Sequence, residues 1–350
     1  MPVDETTLLS TLPPLGLSLD QIPLVTRAWR ELRLRTGEML WEQGGPTTDL
    51  GVLASGRLAV FVDGEEIGVV EPGDALGEAS AFCPGAQRSA SLQATEPSAV
   101  LLIDDFELGR LRLALPSFHE AMLDLGLRTA AKRIRATDLR IARMSQGVLP
   151  APSGTPTSGL ARLWRALRRA TSGDGCPPLL PLLKRQLALQ SLPEPALSQL
   201  TAAFTPHSFE QGEMLLREGE PGESAIFIAS GEVQVLRHVR HRMADVLATF
   251  DAGGVLGSLT LVVPGPRTAT CQAACAGWLY RMDRPAYRGL DDRPRLAWKA
   301  CMLATLGLQL RNANALLSGF QAGSHIGGPL PEAQLQRLLA AAGALQGLAT

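Results

Sequence analysis

The sequence predicts an α+β fold of two tandem units, each a small jelly roll (a double-stranded β-helix) with flanking helices. Three observations carry this expectation: a glycine framework that recurs along the chain, strand-like runs closed by turn residues, and a proline-free helical stretch after each set of runs.

Residues 37–44 read GEMLWEQG and residues 212–219 read GEMLLREG. A further glycine follows each block at the same distance, Gly56 in LASGRLAVFV and Gly231 in IASGEVQVLR, so the pairs Gly37/Gly212, Gly44/Gly219 and Gly56/Gly231 are all 175 positions apart. LGEASAFCPGAQRSASLQA (76–94) then matches LGSLTLVVPGPRTATCQAA (256–274), with the offset drifting to 180 and then 179. A repeated spacing of this kind marks a tandem duplication.

Within each copy, runs such as Leu58-Ala59-Val60-Phe61-Val62 and Glu232-Val233-Gln234-Val235-Leu236 are bounded by glycine, proline and aspartate, the pattern of brief strands. Asp63-Gly64 between two such runs predicts a type I′ hairpin, because both central residues of that turn need positive φ. The second copy replaces it with the basic RHVRHRMAD (237–245), which reads as a longer, exposed hairpin. Residues 117–145 place Met122, Leu125, Leu127, Ile134, Leu139 and Ile141 at mostly helical spacing, and 295–317 is the counterpart. VLPAPSGTPTSG (148–159) reads as a mobile linker. The expected division is 1–147 for the first domain, 148–182 for a linker with a basic amphipathic helix, 183–318 for the second domain and 319–350 for a helical tail.

Composition bounds the function. A chain of 350 residues suits two or three domains. Its formal net charge of −1 argues against a protein built to coat DNA or an anionic membrane. Five cysteines (Cys83, Cys176, Cys271, Cys275, Cys301) without a Cys-x-x-Cys pair indicate neither a disulfide framework nor a thiolate zinc site. The N-terminus lacks the basic start and unbroken apolar run of a secretory leader, and no run reaches the ~18 apolar residues of a membrane helix. A cytoplasmic protein is expected.

The opening G-E-x-[IL]-x-x-x-G, the glycine of [LI]-A-S-G and the run G-E-A-S-x(8)-R-S-A together resemble the cyclic nucleotide-binding domain family, over roughly 13–145 and 183–317. The tandem order is similar to the regulatory subunit of cyclic AMP-dependent protein kinase. The resemblance implies a phosphate cassette of Gly77, Glu78, Ala79, Arg88, Ser89 and Ala90 in the first copy. The chemistry is consistent. The fork of Arg88 can grip two phosphate oxygens. Gly77 admits close backbone approach, amides opening a short helix at 78–81 can face the anion, and ionised Glu78 accepts from a hydroxyl such as the ribose 2′-OH. Ser89 adds a donor and Ala90 is small. Singly, Glu78 and Arg88 read as a surface ion pair worth under ~1 kcal/mol; the spacing inside a duplicated frame favours a ligand.

The second copy keeps Gly257, Leu259, Arg267, Thr268 and Ala269 but has Ser258 at the carboxylate position. Loss of a charge-assisted hydrogen bond worth ~1.5–3 kcal/mol weakens binding ~10–150-fold, so this copy is expected to bind weakly, to bind something altered, or to serve structure. Arg128, Thr129 and Lys132 lie where the following helix could reach a base, or form a solvated face. They do not choose between cyclic AMP and cyclic GMP, although small aliphatic surroundings and the Arg-Ser-Ala run favour cyclic AMP.

LARLWRALRR (160–169) has one apolar and one basic face, which suits packing on its own domain better than a membrane surface. Its Arg168-Arg169-Ala170-Thr171 resembles a kinase substrate sequence but lies between the domains. In kinase regulatory subunits the inhibitory segment precedes both domains. His238 and His241 point to opposite faces of a strand-like hairpin, so no metal is expected. There is no catalytic triad or Walker loop. The tail helix 330–347 has Arg337 as its only basic residue, which argues against DNA. The expectation is a non-enzymatic cyclic nucleotide receptor, without cofactor, acting on a protein partner or a homodimer interface. The alternative is an assembly protein whose cyclic nucleotide-binding folds are vestigial.

Overall fold

Close backbone approach at the repeated glycines sets how each strand layer bends. In the computed structural model, which describes residues 3–46, 49–78, 87–145, 175–237, 245–262, 265–267 and 269–326, Gly56 has φ +85°. A Cβ there would stand 2.3 Å from Ser98 Oγ and 2.6 Å from the Pro97 carbonyl oxygen. Only glycine therefore lets β3 (Asp49–Ser55) run on into β4 (Leu58–Val62) across the start of β8 (Ser98–Asp104). At Gly231, φ +90°, a Cβ would stand only 2.9 Å from the Ala276 carbonyl oxygen, in the middle of the long β11 (Ser224–Arg237) beside β14 (Thr270–Asp283).

The chain divides into two compact units, Met1–Met144 with Leu296–Thr350, and Ser145–Arg295. The first opens with α1 (Glu5–Thr11), capped by the Asp4 side chain accepting from Thr7 N, and α2 (Ile22–Arg27). Two antiparallel sheets follow. One has the order β1 (Arg30–Leu34), β8, β3, β6 (Ala75–Leu76); the other is β2 (Met39–Trp41), β7 (Ser91–Ala94), β4, β5 (Glu65–Val70). Their inner faces meet in a core of Leu34, Leu53, Leu58, Val70, Leu76, Leu92, Val100 and Leu102, the alternation that a two-layer sheet fold requires. Asp63 and Gly64, at φ +52° and +85°, close the β4–β5 hairpin as the type I′ turn expected of that pair.

Among the described residues the second unit opens with three short helices, α5 (Leu179–Lys184), α6 (Leu187–Gln190) and α7 (Glu194–Ala202). They precede a six-stranded sheet in which β10 (Met214–Leu216), β14, β11 and β12 (Asp245–Phe250) lie in that order. β9 (Thr205–Phe209) pairs with β14 and β13 (Val255–Leu256) with β11. The core repeats that of the first unit: Phe209, Ile228, Val233, Leu256 and Leu279 stand where Leu34, Leu53, Leu58, Leu76 and Val100 do. β11 and β12 pair from Val233↔Phe250 to Arg237↔Asp245, which gives the arms of the expected basic hairpin. Its tip, with His238 and His241, lies outside the described residues, as do Cys83, the linker 148–159, the basic helix 160–169 and the tail helix 330–347.

Equivalent caps start the helices that leave each strand layer. Asp104 accepts from Glu107 N at the head of α3 (Asp105–Ala114), and Asp283 accepts from Ala286 N after α8 (Leu259–Val262) at the head of α9 (Arg284–Arg288), both at 2.8 Å. The long helices are α4 (Pro116–Ser145) and α10 (Asp292–Ile326). Sequence places 295–317 in the second copy by descent; by packing, α10 from Leu296 onward belongs to the first unit. Its side chains explain why. Trp298, Met302 and Leu303 are fully buried, and Lys299 is buried against Glu120 and Asp124 of α4 at 2.8 and 2.7 Å.

His119 on α4 is partly buried between charged neighbours, and burial first, then Arg112, lowers its pKa to about 4, with Glu120 opposing. Above its ordinary pKa near 6.5 neither folded nor unfolded chain protonates this ring. As pH falls below 6.5 the unfolded chain takes up the proton first, so stability drops until about pH 4 and then levels off for this group. Urea melts between pH 7 and pH 4 should show wild type losing up to ~3 kcal/mol relative to His119→Gln; parallel curves would contradict the assignment.

Candidate functional site

Arg88 is tightly held in the first unit. Its backbone is pinned on both sides, Gly44 N donating to Arg88 O at 2.8 Å and Arg88 N donating to Gly45 O at 3.1 Å. The side chain is only 4% exposed. Its Nη2 donates to the Asp49 carbonyl oxygen at 2.8 Å, and the guanidinium carbon lies 3.5 Å from the centroid of Trp41, a cation–π contact. Nε and Nη1 are buried and have no hydrogen-bond partner among the described residues. Burial works against the charge, while Asp49, Asp105 and Glu78 support it; an arginine nonetheless stays cationic at neutral pH. Burial raises the pKa of Asp105, and Arg88 opposes that rise.

Gly77 makes the close packing possible. Its φ is +71°, and a Cβ on it would sit 2.0 Å from Arg88 Nη1. Glu78 follows, 1% exposed, with Oε1 accepting from Arg133 Nη1 at 2.8 Å and Oε2 buried without a partner among the described residues. One cation with two uncommitted donors and one carboxylate with an uncommitted oxygen are thus held at one end of the strand layer. Leaving such groups unmatched in a dry site is costly, and an anion bearing a neighbouring hydroxyl would satisfy both. Ser89 and Ala90 are partly buried beside Arg88, with Ala90 packed against the cluster of Val62, Ile67 and Leu317. Ala79, and the 78–81 helix beyond Glu78, lie outside the described residues.

The helix residues proposed for the base side do other work. Arg128 is exposed. Thr129 is buried and its Oγ1 accepts from Ala75 N at 3.1 Å, while Lys132 reaches Glu71 at 2.8 Å and Asp74 at 3.1 Å, tying α4 to the turn before β6. The residue that reaches the cassette is Arg133, one turn beyond Thr129, which holds Glu78 and donates Nη2 to the Ala75 carbonyl at 2.7 Å. Helical spacing from Thr129 could have pointed to it. Trp41 and Asp49 carried no signal, since neither lies within the cassette.

The second copy builds the same frame and closes it. Gly219 N and Glu220 O pin the Arg267 backbone at 2.9 and 2.8 Å, and Gly257 has φ +66° with a would-be Cβ 2.4 Å from Arg267 Nη1. Here the guanidinium is spoken for. Nη1 donates to Gly257 O at 2.7 Å and to Thr260 Oγ1 at 2.6 Å, and Nη2 donates to Ser224 Oγ at 3.0 Å. Ser258 is buried, Leu216 stands where Trp41 does, and Ala269 is partly buried. Thr268 lies outside the described residues, and Leu259 is placed only by its backbone in α8. Burial pushes the Cys271 thiol up to about 12, with Arg267 opposing. A surface groove of about 320 Å³ lies beside this cassette, between Pro221, Gly222, Gly265, Pro266 and Arg284, and its walls include neither Arg267 nor Ser258.

Residues 31–112 and 206–293 match the family described as cyclic nucleotide-binding domain. Both regions belong to that family. Among similar proteins, the CRP-like cAMP-activated global transcriptional regulator of Mycobacterium tuberculosis is 30% identical over 134 residues, 38% of this chain and 59% of that protein. The cAMP-dependent protein kinase type II regulatory subunit of Drosophila melanogaster is 30% identical over 110 residues, 31% of this chain and 28% of that protein. The chain therefore spans less than two thirds of either relative. Among solved structures, the regulatory domain of Toxoplasma gondii PKA with cAMP aligns at 18% identity and TM-score 0.30, covering 82% of this chain and 91% of that one. The two cyclic nucleotide-binding domains of this chain are mixed α+β units, β-rich with flanking helices. Among the described residues no helix is long and apolar enough to cross a membrane, and no group of His, Cys, Asp and Glu is placed to hold a metal.

The two arginines predict different costs on removal. Arg267→Ala removes three internal hydrogen bonds, to the Gly257 carbonyl and to the Thr260 and Ser224 hydroxyls, and leaves only the Thr260 Oγ1 bond to Gly257 O among them, a loss of ~2–4 kcal/mol. Arg88→Ala removes one carbonyl bond and a ring contact while discarding two unmet donors, so it should cost at least ~1 kcal/mol less. Urea denaturation of the full chain compares them; an equal or reversed order would contradict the open and closed descriptions.

Proposed function

We propose that the first domain is a cyclic AMP receptor site and that the chain is a non-enzymatic regulator which passes ligand occupancy to a protein partner. The observation that carries this reading is the pair of buried, uncommitted donors on Arg88, set against Arg267, both of whose terminal nitrogens are engaged. In the proposed complex Arg88 Nε and Nη1 grip the cyclic phosphate, Glu78 Oε2 accepts the ribose 2′-hydroxyl, and Gly77, Ala79, Ser89 and Ala90 supply close backbone approach and a further donor. The second cassette, Gly257, Ser258, Leu259, Arg267, Thr268 and Ala269, serves as structure, since an anion there would first have to displace three internal hydrogen bonds.

Cyclic AMP is favoured over cyclic GMP by the small aliphatic surroundings of Ala90. The output runs through α4. Arg133 ties that helix to Glu78 while Thr129 and Lys132 tie it to β6 and the preceding turn, so a ligand that re-partners Glu78 changes the relative stability of the arrangements open to α4. A ligand can shift that balance only by its differential affinity for the two arrangements.

Thermal shift of the full chain with cyclic AMP, cyclic GMP and their 2′-deoxy forms tests the reading. Cyclic AMP at 100 times its Kd should stabilise by ~2.7 kcal/mol. The 2′-deoxy form should lose most of that shift, and Arg88→Ala should lose all of it. No shift with any nucleotide would overturn the function, and a shift unchanged in Arg88→Ala would overturn the site.

A further inference from the structure

The two long helices pair in parallel within the first unit, and they do so nearly in the register of the duplication. Lys299 meets Glu120, 179 residues away, and the adjoining Asp124. A Cβ on Gly126 would stand 2.9 Å from Leu303. Further along, Thr137 Oγ1 donates to Asn314 Oδ1 at 3.4 Å across a sequence distance of 177. Contacts thus advance together along α4 and α10, and helix positions related by the duplication face each other. A two-fold interface between separate copies of one protein does the same thing, placing a residue against its own equivalent. Here both helices belong to one chain.

The charges show that the pairing is not interchangeable. Lys299 is 5% exposed at its side chain and is matched by Glu120 and Asp124. The α4 positions 177–179 residues before it are Met122, Ala121 and Glu120, none of them a cation. Pairing α4 with α4 of a second chain would set Glu120 and Asp124 against their copies with no lysine between them. Pairing α10 with α10 would bury two unmatched ammonium groups. Burying an unpaired charge costs far more than a screened repulsion at the surface, and such mispairing is what a specific interface is built against. At the far end Ser318 Oγ donates to the Val62 carbonyl at 3.2 Å, and Leu317 is fully buried with Val62 and Ile67. This contact fastens α10 beside the β4–β5 hairpin.

We infer that α4 and α10 are each other's dedicated partners within one chain, an internal replacement for a homodimer's helix pair, and that this face is closed to a second copy of the protein. Any self-association then runs through another surface.

Light scattering and thermal melts of the full chain test the inference. Lys299→Glu should lower Tm by ~5–10 °C. The same change combined with Glu120→Lys and Asp124→Lys should restore most of it in the same chain. Should Lys299→Glu not fold, Lys299→Met provides the second reading: it should keep the helical circular dichroism, melt lower than wild type and keep the wild-type mass. A wild-type mass of 37.2 kDa, or a larger mass unchanged in Lys299→Met, agrees with the inference. A wild-type dimer that dissociates on either Lys299 substitution would overturn it, as would an unchanged Tm in Lys299→Glu or a triple variant no more stable than the single one.

Discussion

A buried guanidinium is the constraint around which the first domain is organised. Taking an arginine out of water is unfavourable unless its donors are met and its charge is balanced. The fold supplies part of this: a carbonyl from Asp49, the face of Trp41, and the carboxylates of Asp49, Asp105 and Glu78 nearby. It also fixes the geometry, because Gly44 and Gly45 pin the Arg88 backbone and only a glycine at 77 leaves room for Nη1. Two donors are still without partners among the described residues. A side chain so restrained yet incompletely matched is pre-organised for an anion, which would then lose little entropy in binding it.

The second domain shows the same restraint resolved internally. Gly257, the pinned backbone and the buried arginine all persist, but hydroxyls at Thr260 and Ser224 and the Gly257 carbonyl engage the guanidinium. The comparison separates what the jelly roll needs from what the proposed ligand needs. Glycines at 56 and 231 are common to both copies because strand crossing demands them. Glu78 and Trp41 differ from Ser258 and Leu216 because only one copy keeps its arginine open.

Much of this was legible in the sequence for a physical reason. Turn glycines act locally, so Gly56/Gly231 and the Asp63-Gly64 turn could be read from spacing alone. Glu78 and Arg88 were legible because they sit in one short segment. What escaped depends on tertiary approach. Arg133 lies 55 residues from Glu78, and Trp41 and Asp49 reach Arg88 from separate strands. The allegiance of α10 escaped as well: amphipathic spacing announces a buried face but not which surface covers it, and the duplication suggested the wrong neighbour for Leu296 onward. Lys299, a buried cation in an apolar run, was the residue that marked the true one.

The central claim is that one arginine is open and the other closed, so the count of ligands per chain is its most direct measure. Isothermal titration of full-length protein with cyclic AMP should give one equivalent bound per chain, and Arg267→Ala should leave that first equivalent in place. Two equivalents of similar affinity, or loss of binding in Arg267→Ala with a folded first domain, would contradict the account.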